Sequence, residues 1–224
     1  MTIPFDHQPE PLPKRSFKSA AIHCLLFTAG IWLFAWFIAA VDFTKSIAWA
    51  GLLLSSFILY YNAQIQGNLR ALWSEPKPLF NKSSMLFLAL LLGPLVGIAY
   101  RTSLGMTAWP QALSGFALTA VCIGITEEII FRGVIFYILQ KQSAPMCILF
   151  SSLAHAGYKT LLFLSPFAMQ QVDFAQVFTY TFLAGLLLGS MRWYAASAAS
   201  PIIAHASWDA MVYGDSPAAP WWVW

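Results

Sequence analysis

Seven apolar stretches, each close to the length of a bilayer-spanning helix, divide this 224-residue chain. A helix needs about 20 apolar residues to cross the hydrocarbon core of a membrane. Charged residues make up only 9% of the chain, whereas a soluble domain usually contains about 25%. The sequence therefore predicts an all-α fold, a polytopic transmembrane helical bundle of about seven spans. The predicted spans are residues 19–41, 46–62, 83–100, 112–139, 145–164, 174–191 and 196–213.

The predicted spans divide the chain into four parts. Residues 1–18 form a Pro-rich tail that ends in a basic cluster, and residues 19–111 are expected to hold the N-terminal transmembrane helices. Residues 112–213 are expected to form a second transmembrane core that carries most of the polar groups. Residues 214–224 form a short C-terminal tail.

Lysine and arginine in the short loops predict how the bundle is oriented, because cytoplasmic loops are enriched in these residues. With a cytoplasmic N-terminus, the outer loops carry only Lys45 and Arg101. The inner side then carries Lys14, Arg15, Lys18, Arg70, Lys77, Lys82, Lys141 and Arg192. We expect an integral protein of the plasma (inner) membrane with its N-terminus in the cytoplasm. The net charge of +3 is small and predicts no nucleic-acid partner.

Three charged residues, Glu127, Glu128 and Arg132, lie inside the fourth predicted span. An ionised side chain near the bilayer centre costs roughly 2.5–3.5 kcal/mol on insertion scales, and such groups normally face the bundle interior or a water-filled cavity. Glu128 and Arg132 are four residues apart, on one helical face, so they are predicted to pair. Glu127 is rotated by about 100° and is expected to lack a cationic partner. Lys159, in the fifth span, is interpreted as reaching toward an interface.

Histidines in two further spans lie at the same predicted depth as the first glutamate. At a rise of about 1.5 Å per residue, Glu127 and His155 are each about 21 Å from Lys141, at the inner edge. His205 is about 20 Å from Arg192, which is also counted at the inner edge. Groups from three helices are therefore expected to meet at one level, as a site between helices requires.

These groups have the chemistry of a hydrolase that uses no serine or cysteine nucleophile. A free carboxylate such as Glu127, beside a neutral histidine such as His155, can position and deprotonate a water molecule. His205 and Asp209 are four residues apart and can point into the same cavity. There they could bind a developing oxyanion, provided that a proton is available to donate.

Other interpretations use the same residues. The charged group could be a purely structural ion-pair network, and its carboxylates and histidines are plausible zinc ligands for a zinc-dependent membrane metalloprotease. Intramembrane glutamate and histidine chains also serve proton-coupled transporters, and a non-catalytic immunity or scaffold role is a further alternative. No C-x-x-C or Cys/His cluster indicates a structural zinc site. We expect no cofactor, with Zn²⁺ as the alternative.

The ordered motifs also resemble those of a known family. A Glu-Glu-x-x-x-Arg motif beginning at Glu127, a histidine in the next span and a His-x-x-x-Asp motif beginning at His205 resemble the three motifs of the CPBP family. This family comprises the CAAX-protease and bacteriocin-processing (Abi) intramembrane proteases. The resemblance covers about residues 112–213, and it implies that this part is a catalytic transmembrane core.

The resemblance implies a glutamate-type intramembrane endopeptidase that hydrolyses a peptide bond in a membrane-associated protein or peptide. Glu127 would be the general base that activates water, with His155 as its partner. The residues implied to orient the site or to form its oxyanion side are Glu128, Arg132, His205 and Asp209. Two positions depart from the usual pattern. Ser151 stands where the family usually has phenylalanine, and Asp209 stands where it often has asparagine.

Overall fold

The computed structural model describes residues 17–38, 81–112, 115–139, 142–164 and 173–215. The described residues form helices and no strand. The elements are α1 Phe17–Ile38, α2 Lys82–Ser103, α3 Gly115–Glu128, a π-helical segment Ile129–Ile135, α4 Phe136–Leu139, α5 Ala144–Leu164, α6 Phe174–Ala195 and α7 Ala199–Tyr213. Most of the predicted N-terminal tail, the second predicted span (46–62) and most of the C-terminal tail lie outside the described residues.

Four of the described helices are long and apolar enough to cross a membrane. These four segments are Lys18–Trp36, Ser83–Ser103, Ala144–Leu164 and Phe174–Ala195. The prediction of an all-helical transmembrane fold is therefore confirmed. The predicted number of about seven spans is not. The span predicted at 112–139 is divided into three helical pieces, and α7 has only 15 residues. At about 1.5 Å per residue α7 is about 22 Å long, shorter than the hydrocarbon core. The predicted boundary between residues 111 and 112 stays a prediction.

Local sequence sets several of the helix ends. The side chain of Asn81 accepts a hydrogen bond from the backbone N–H of Ser83 at the start of α2, at 2.9 Å. Asp173 caps α6 in the same way, through the N–H of Gln176 at 3.1 Å. Ala196 ends α6 in the left-handed conformation, with φ 50°. These caps satisfy backbone groups that a helix end leaves without an internal partner.

Glycines bring two pairs of helices close together. The patterns Gly93–Gly97 and Gly185–Gly189 are typical of close contacts between membrane helices. A Cβ atom on Gly93 would overlap the α7 atoms Ser207 Oγ and Ala204 O, and one on Gly185 would lie 2.9 Å from Ser152 Cβ of α5. The close contacts that the two patterns indicate are present, and they pack α2 against α7 and α6 against α5.

A buried arginine joins the ends of α2 and α7. Arg101 is 1% exposed, and its guanidinium donates to both carboxylate oxygens of Asp215, at 2.9 and 2.8 Å. It also donates to the backbone carbonyls of Met211 at 3.2 Å and Thr107 at 2.7 Å. The sequence predicts Arg101 to be a loop charge on the outer side, whereas in the structure it is buried at the last turn of α2.

The contact between Arg101 and Asp215 should make stability depend on pH. The hydrogen bonds from Arg101 lower the pKa of the Asp215 carboxyl from 3.8 to about 2. A carboxyl with a lowered pKa in the folded state stabilises the protein above its unfolded pKa, and this contribution is lost as the pH falls toward the folded value. Asp215→Asn should therefore lower the melting temperature in detergent by about 2–4 °C near pH 7, corresponding to about 1 kcal/mol. The difference from wild type should shrink between about pH 4 and pH 2. A difference that stays constant over this range would contradict the assignment.

Candidate active site

Glu127 and Glu128 lie at the end of α3, and Arg132 lies in the π-helical segment that follows. All seven residues of this segment are buried. Its wider turn is held by side chains of neighbouring helices, because Ser151 Oγ of α5 donates to the carbonyl of Phe131 at 2.9 Å and Arg192 Nε of α6 donates to the carbonyl of Arg132 at 3.0 Å. Short π-helical segments often occur at functional sites. Ser151, at the position where the related motif usually has phenylalanine, therefore has a structural role of its own.

The predicted pair of Glu128 and Arg132 is present and completely buried. Arg132 Nη1 donates to Glu128 Oε1 at 2.9 Å, and both side chains are 0% exposed. The same carboxylate oxygen accepts a hydrogen bond from His205 Nδ1 at 2.9 Å. Glu128 is therefore held by two donors, one from the π-helical segment that follows it and one from α7.

His155 connects the buried pair to the other glutamate. Arg132 Nη1 lies 2.9 Å from His155 Nδ1. Because a guanidinium can only donate, Nδ1 must accept and the proton of the neutral ring must be on Nε2. Nε2 lies 3.0 Å from Glu127 Oε2 and donates to it. The Phe131 ring stacks on the imidazole at a centroid distance of 4.5 Å. The orientation of His155 is thus fixed by contacts on three sides.

Glu127 has a cationic partner, which the sequence analysis did not predict. Lys159 Nζ lies 2.5 Å from Glu127 Oε1, and its side chain is 15% exposed. The interpretation that Lys159 reaches toward an interface is therefore wrong, as is the expectation that Glu127 lacks a cationic partner. Lys159 follows His155 by one helical turn, so the two side chains share a face of α5. That spacing was the one signal in the sequence that could have placed Lys159 in the site.

The third group of the site comes from α7. His205 Nε2 lies 3.8 Å from Glu127 Oε2 and 3.7 Å from Asp209 Oδ2, close contacts that are longer than hydrogen bonds. Gly124 allows this approach, because a Cβ atom there would lie 2.8 Å from Asp209 Oδ2. The convergence of groups from three helices, predicted from helix rise, is confirmed.

A cavity of about 720 Å³ opens onto one side of this cluster. Ligand pockets usually measure about 300–1,000 Å³, so the cavity is large enough for part of a peptide. The polar residues of the cluster that line it are Glu127, His155, Lys159, His205 and Asp209. Its other described lining comes largely from apolar and aromatic side chains of α2 and α6. Glu128 and Arg132 lie behind these groups and do not line the cavity.

The histidine and carboxylate side chains of the cluster, which are the groups that could bind a metal, contact one another. A zinc site takes three or four histidine, cysteine or carboxylate ligands around one point. Within the described ranges, no group of three or more such side chains has an arrangement that could hold a metal ion. In the described geometry, the Glu127 carboxylate is engaged by His155 and Lys159.

Residues 107–211 match the family model of Rce1-like type II CAAX prenyl endopeptidases. The predicted resemblance is confirmed. The matched segment contains every residue from Glu127 to Asp209 that the motifs identified. No curated protein and no solved structure matches the chain. Together with the four apolar helices, the match indicates an integral membrane protein and supports intramembrane endopeptidase activity, a hydrolase acting on membrane-associated substrates.

The buried pair should matter more for stability than the residues that face the cavity. Arg132→Ala would leave Glu128 as a buried charge without its arginine, at a cost of about 3–5 kcal/mol. Glu127→Ala should cost less, because the partly exposed Lys159 ammonium can turn toward the cavity. Melting temperatures in detergent should therefore be lower for Arg132→Ala than for Glu127→Ala. The double variant Glu128→Gln/Arg132→Gln should recover part of the loss. If Arg132→Ala has the same melting temperature as wild type, the ion pair between Glu128 and Arg132 does not stabilise the fold.

Proposed function

We propose that this chain is an intramembrane endopeptidase in which Glu127 activates a water molecule to hydrolyse a peptide bond. The observation that supports this best is the division of the two adjacent glutamates. Glu128 is sealed behind the site by Arg132 and His205, whereas Glu127 lines the cavity. A general base must reach the water that it deprotonates, and of these two carboxylates only Glu127 is placed to do so.

The proposed reaction is an addition of water to the carbonyl carbon followed by loss of the amine. Glu127 takes a proton from the water as its oxygen bonds to the carbonyl carbon, and the carbonyl oxygen becomes an oxyanion. The oxyanion collapses, the carbon–nitrogen bond breaks, and Glu127 returns the proton to the leaving nitrogen. Proton transfer of this kind contributes typically 10²–10⁴-fold to a rate.

The remaining site residues hold or complement this reaction. His155 donates to Glu127 Oε2 and keeps that carboxylate oriented, while Glu128 and Arg132 keep His155 and His205 in place. His205 and Asp209 lie on the side of the cavity where we assign the oxyanion. Preorganised donors at such a position are usually the largest contribution to catalysis of acyl transfer.

We propose a membrane-associated protein or peptide as substrate, because apolar side chains of α2 and α6 line much of the cavity. CAAX-like C-terminal processing, bacteriocin maturation or self-immunity, and trimming of C-terminal sorting signals all fit this class. We also propose a location in the plasma (inner) membrane. The proposed cytoplasmic N-terminus rests on the loop charges. Arg101 and Arg192 are both 1% exposed and no longer count as loop charges, but the remaining lysines and arginines keep the bias.

Glu127→Gln should abolish hydrolysis and leave the protein folded, because glutamine keeps the shape and removes the base. We expect a rate at least 10²-fold lower. The measurement is cleavage of quenched-fluorescent hydrophobic peptides by purified protein in liposomes, with one peptide ending in a prenylated Cys-aliphatic-aliphatic-X sequence. Melting temperature and gel filtration provide the folding control. Near-normal turnover would remove Glu127 from the role of base.

Asp209→Asn tests the oxyanion assignment against the zinc alternative. An asparagine amide is a permanent donor, whereas Asp209 donates only when it carries a proton. If Asp209 acts as a donor, the asparagine variant should remain active and extend its activity to higher pH. If Asp209 instead accepts from His205 or binds zinc, activity should fall strongly. Metal analysis of both proteins and sensitivity to a chelator separate those two cases, because only the zinc enzyme would lose bound metal.

A further inference from the structure

Lys159 lies beside the carboxylate oxygen of Glu127 that does not contact His155. Oε2 of Glu127 accepts the hydrogen bond from His155, and Oε1 faces Lys159 Nζ at 2.5 Å. Both Glu127 and Lys159 line the cavity. A water held by Oε1 would therefore lie beside the ammonium group, as would the carbonyl group that this water attacks.

The oxyanion of the proposed reaction needs positive charge from the residues that line the cavity. Arg132 is sealed behind the site and bonded to Glu128 and His155. His205 donates from Nδ1 to Glu128, and its Nε2 faces Glu127 and Asp209 at 3.8 and 3.7 Å. Asp209 would repel an oxyanion whenever it is ionised. Among the described residues that line the cavity, Lys159 is the only lysine or arginine.

We propose that Lys159 is a further catalytic residue, whose ammonium group stabilises the oxyanion formed on the scissile carbonyl; this inference rests on the proposed function. In the resting site Lys159 is paired with the Glu127 carboxylate. Once Glu127 takes the proton from water, it becomes neutral at the moment when the carbonyl oxygen becomes negative. The ammonium group keeps one anionic partner throughout, and its flexible four-carbon stem allows the small movement from one oxygen to the other.

The proposal also accounts for aspartate at the end of the third motif. An asparagine there would be a permanent donor, and Asp209 is not. The Lys159 ammonium group, which lines the same cavity, makes that donor dispensable. The two positions should therefore substitute for one another, so that the effect of Asp209→Asn depends on whether Lys159 is present.

The experiment measures kcat and KM, with the same liposomes and peptides, for Lys159→Met, Asp209→Asn and the double variant. Methionine keeps an unbranched chain and removes the charge. Loss of one oxyanion donor costs about 10²–10³-fold in kcat, so we expect that fall for Lys159→Met, with KM changed less than about threefold. Adding Asp209→Asn to Lys159→Met should raise kcat at least about tenfold, more than it changes kcat in wild type. Thr160→Val, at the next position of α5, is the matched control and should leave both constants unchanged.

Several outcomes would overturn the proposal while leaving the proposed function intact. In each, wild type is active and Glu127→Gln is not. Wild-type kcat in Lys159→Met removes Lys159 from the reaction. A rise in KM alone would make it a substrate-binding residue. An equal effect of Asp209→Asn on kcat in wild type and in Lys159→Met would show that asparagine at position 209 does not replace Lys159.

If Lys159→Met does not fold, Lys159→Gln takes its place. Its amide can still bond Glu127, and an unchanged kcat would again overturn the proposal. Equal activity of wild type and Glu127→Gln would instead reject the proposed function itself.

Discussion

The ion pair between Glu128 and Arg132 is the interaction on which the rest of the site depends. Both side chains are completely buried, where an unpaired charge costs several kcal/mol. Each also has a second partner at the atom that makes the pair. Arg132 Nη1 donates to His155, and Glu128 Oε1 accepts from His205. Four helical elements, α3, the π-helical segment, α5 and α7, are therefore joined at one point. Buried networks of this kind favour one arrangement, because each broken contact leaves a polar group without compensation.

The π-helical segment gives this network its position. Its wider turn presents the carbonyls of Phe131 and Arg132 to side chains of other helices, Ser151 from α5 and Arg192 from α6. The backbone that carries Arg132 is thus held from two sides, independently of the contacts that its guanidinium makes. Glu128 and Arg132 lie behind the cavity and contact His155 and His205, which line it.

The residues that line the cavity are less tightly enclosed than the buried pair. Glu127 and Lys159 form a second acid–base pair, but Lys159 is partly exposed and reaches Glu127 along a flexible chain. In the proposed reaction, the Lys159 ammonium group is paired with Glu127 at the start. It can pair with the oxyanion instead once Glu127 has taken a proton. The site therefore combines one completely buried ion pair with another that lines the cavity.

The sequence by itself determined the membrane-spanning character of the chain, the pairing of Glu128 with Arg132 and the common depth of the two histidines. These follow from hydropathy and helical spacing, which are properties of a segment and its near neighbours. Only the tertiary structure decided that Lys159 turns to Glu127, that Arg101 and Arg192 are buried, and that the fourth predicted span contains a π-helical turn. A long cationic side chain takes the direction of whichever carboxylate or carbonyl a distant segment brings within reach. The spacing of His155 and Lys159 puts both on one face of α5, but it does not identify that distant partner.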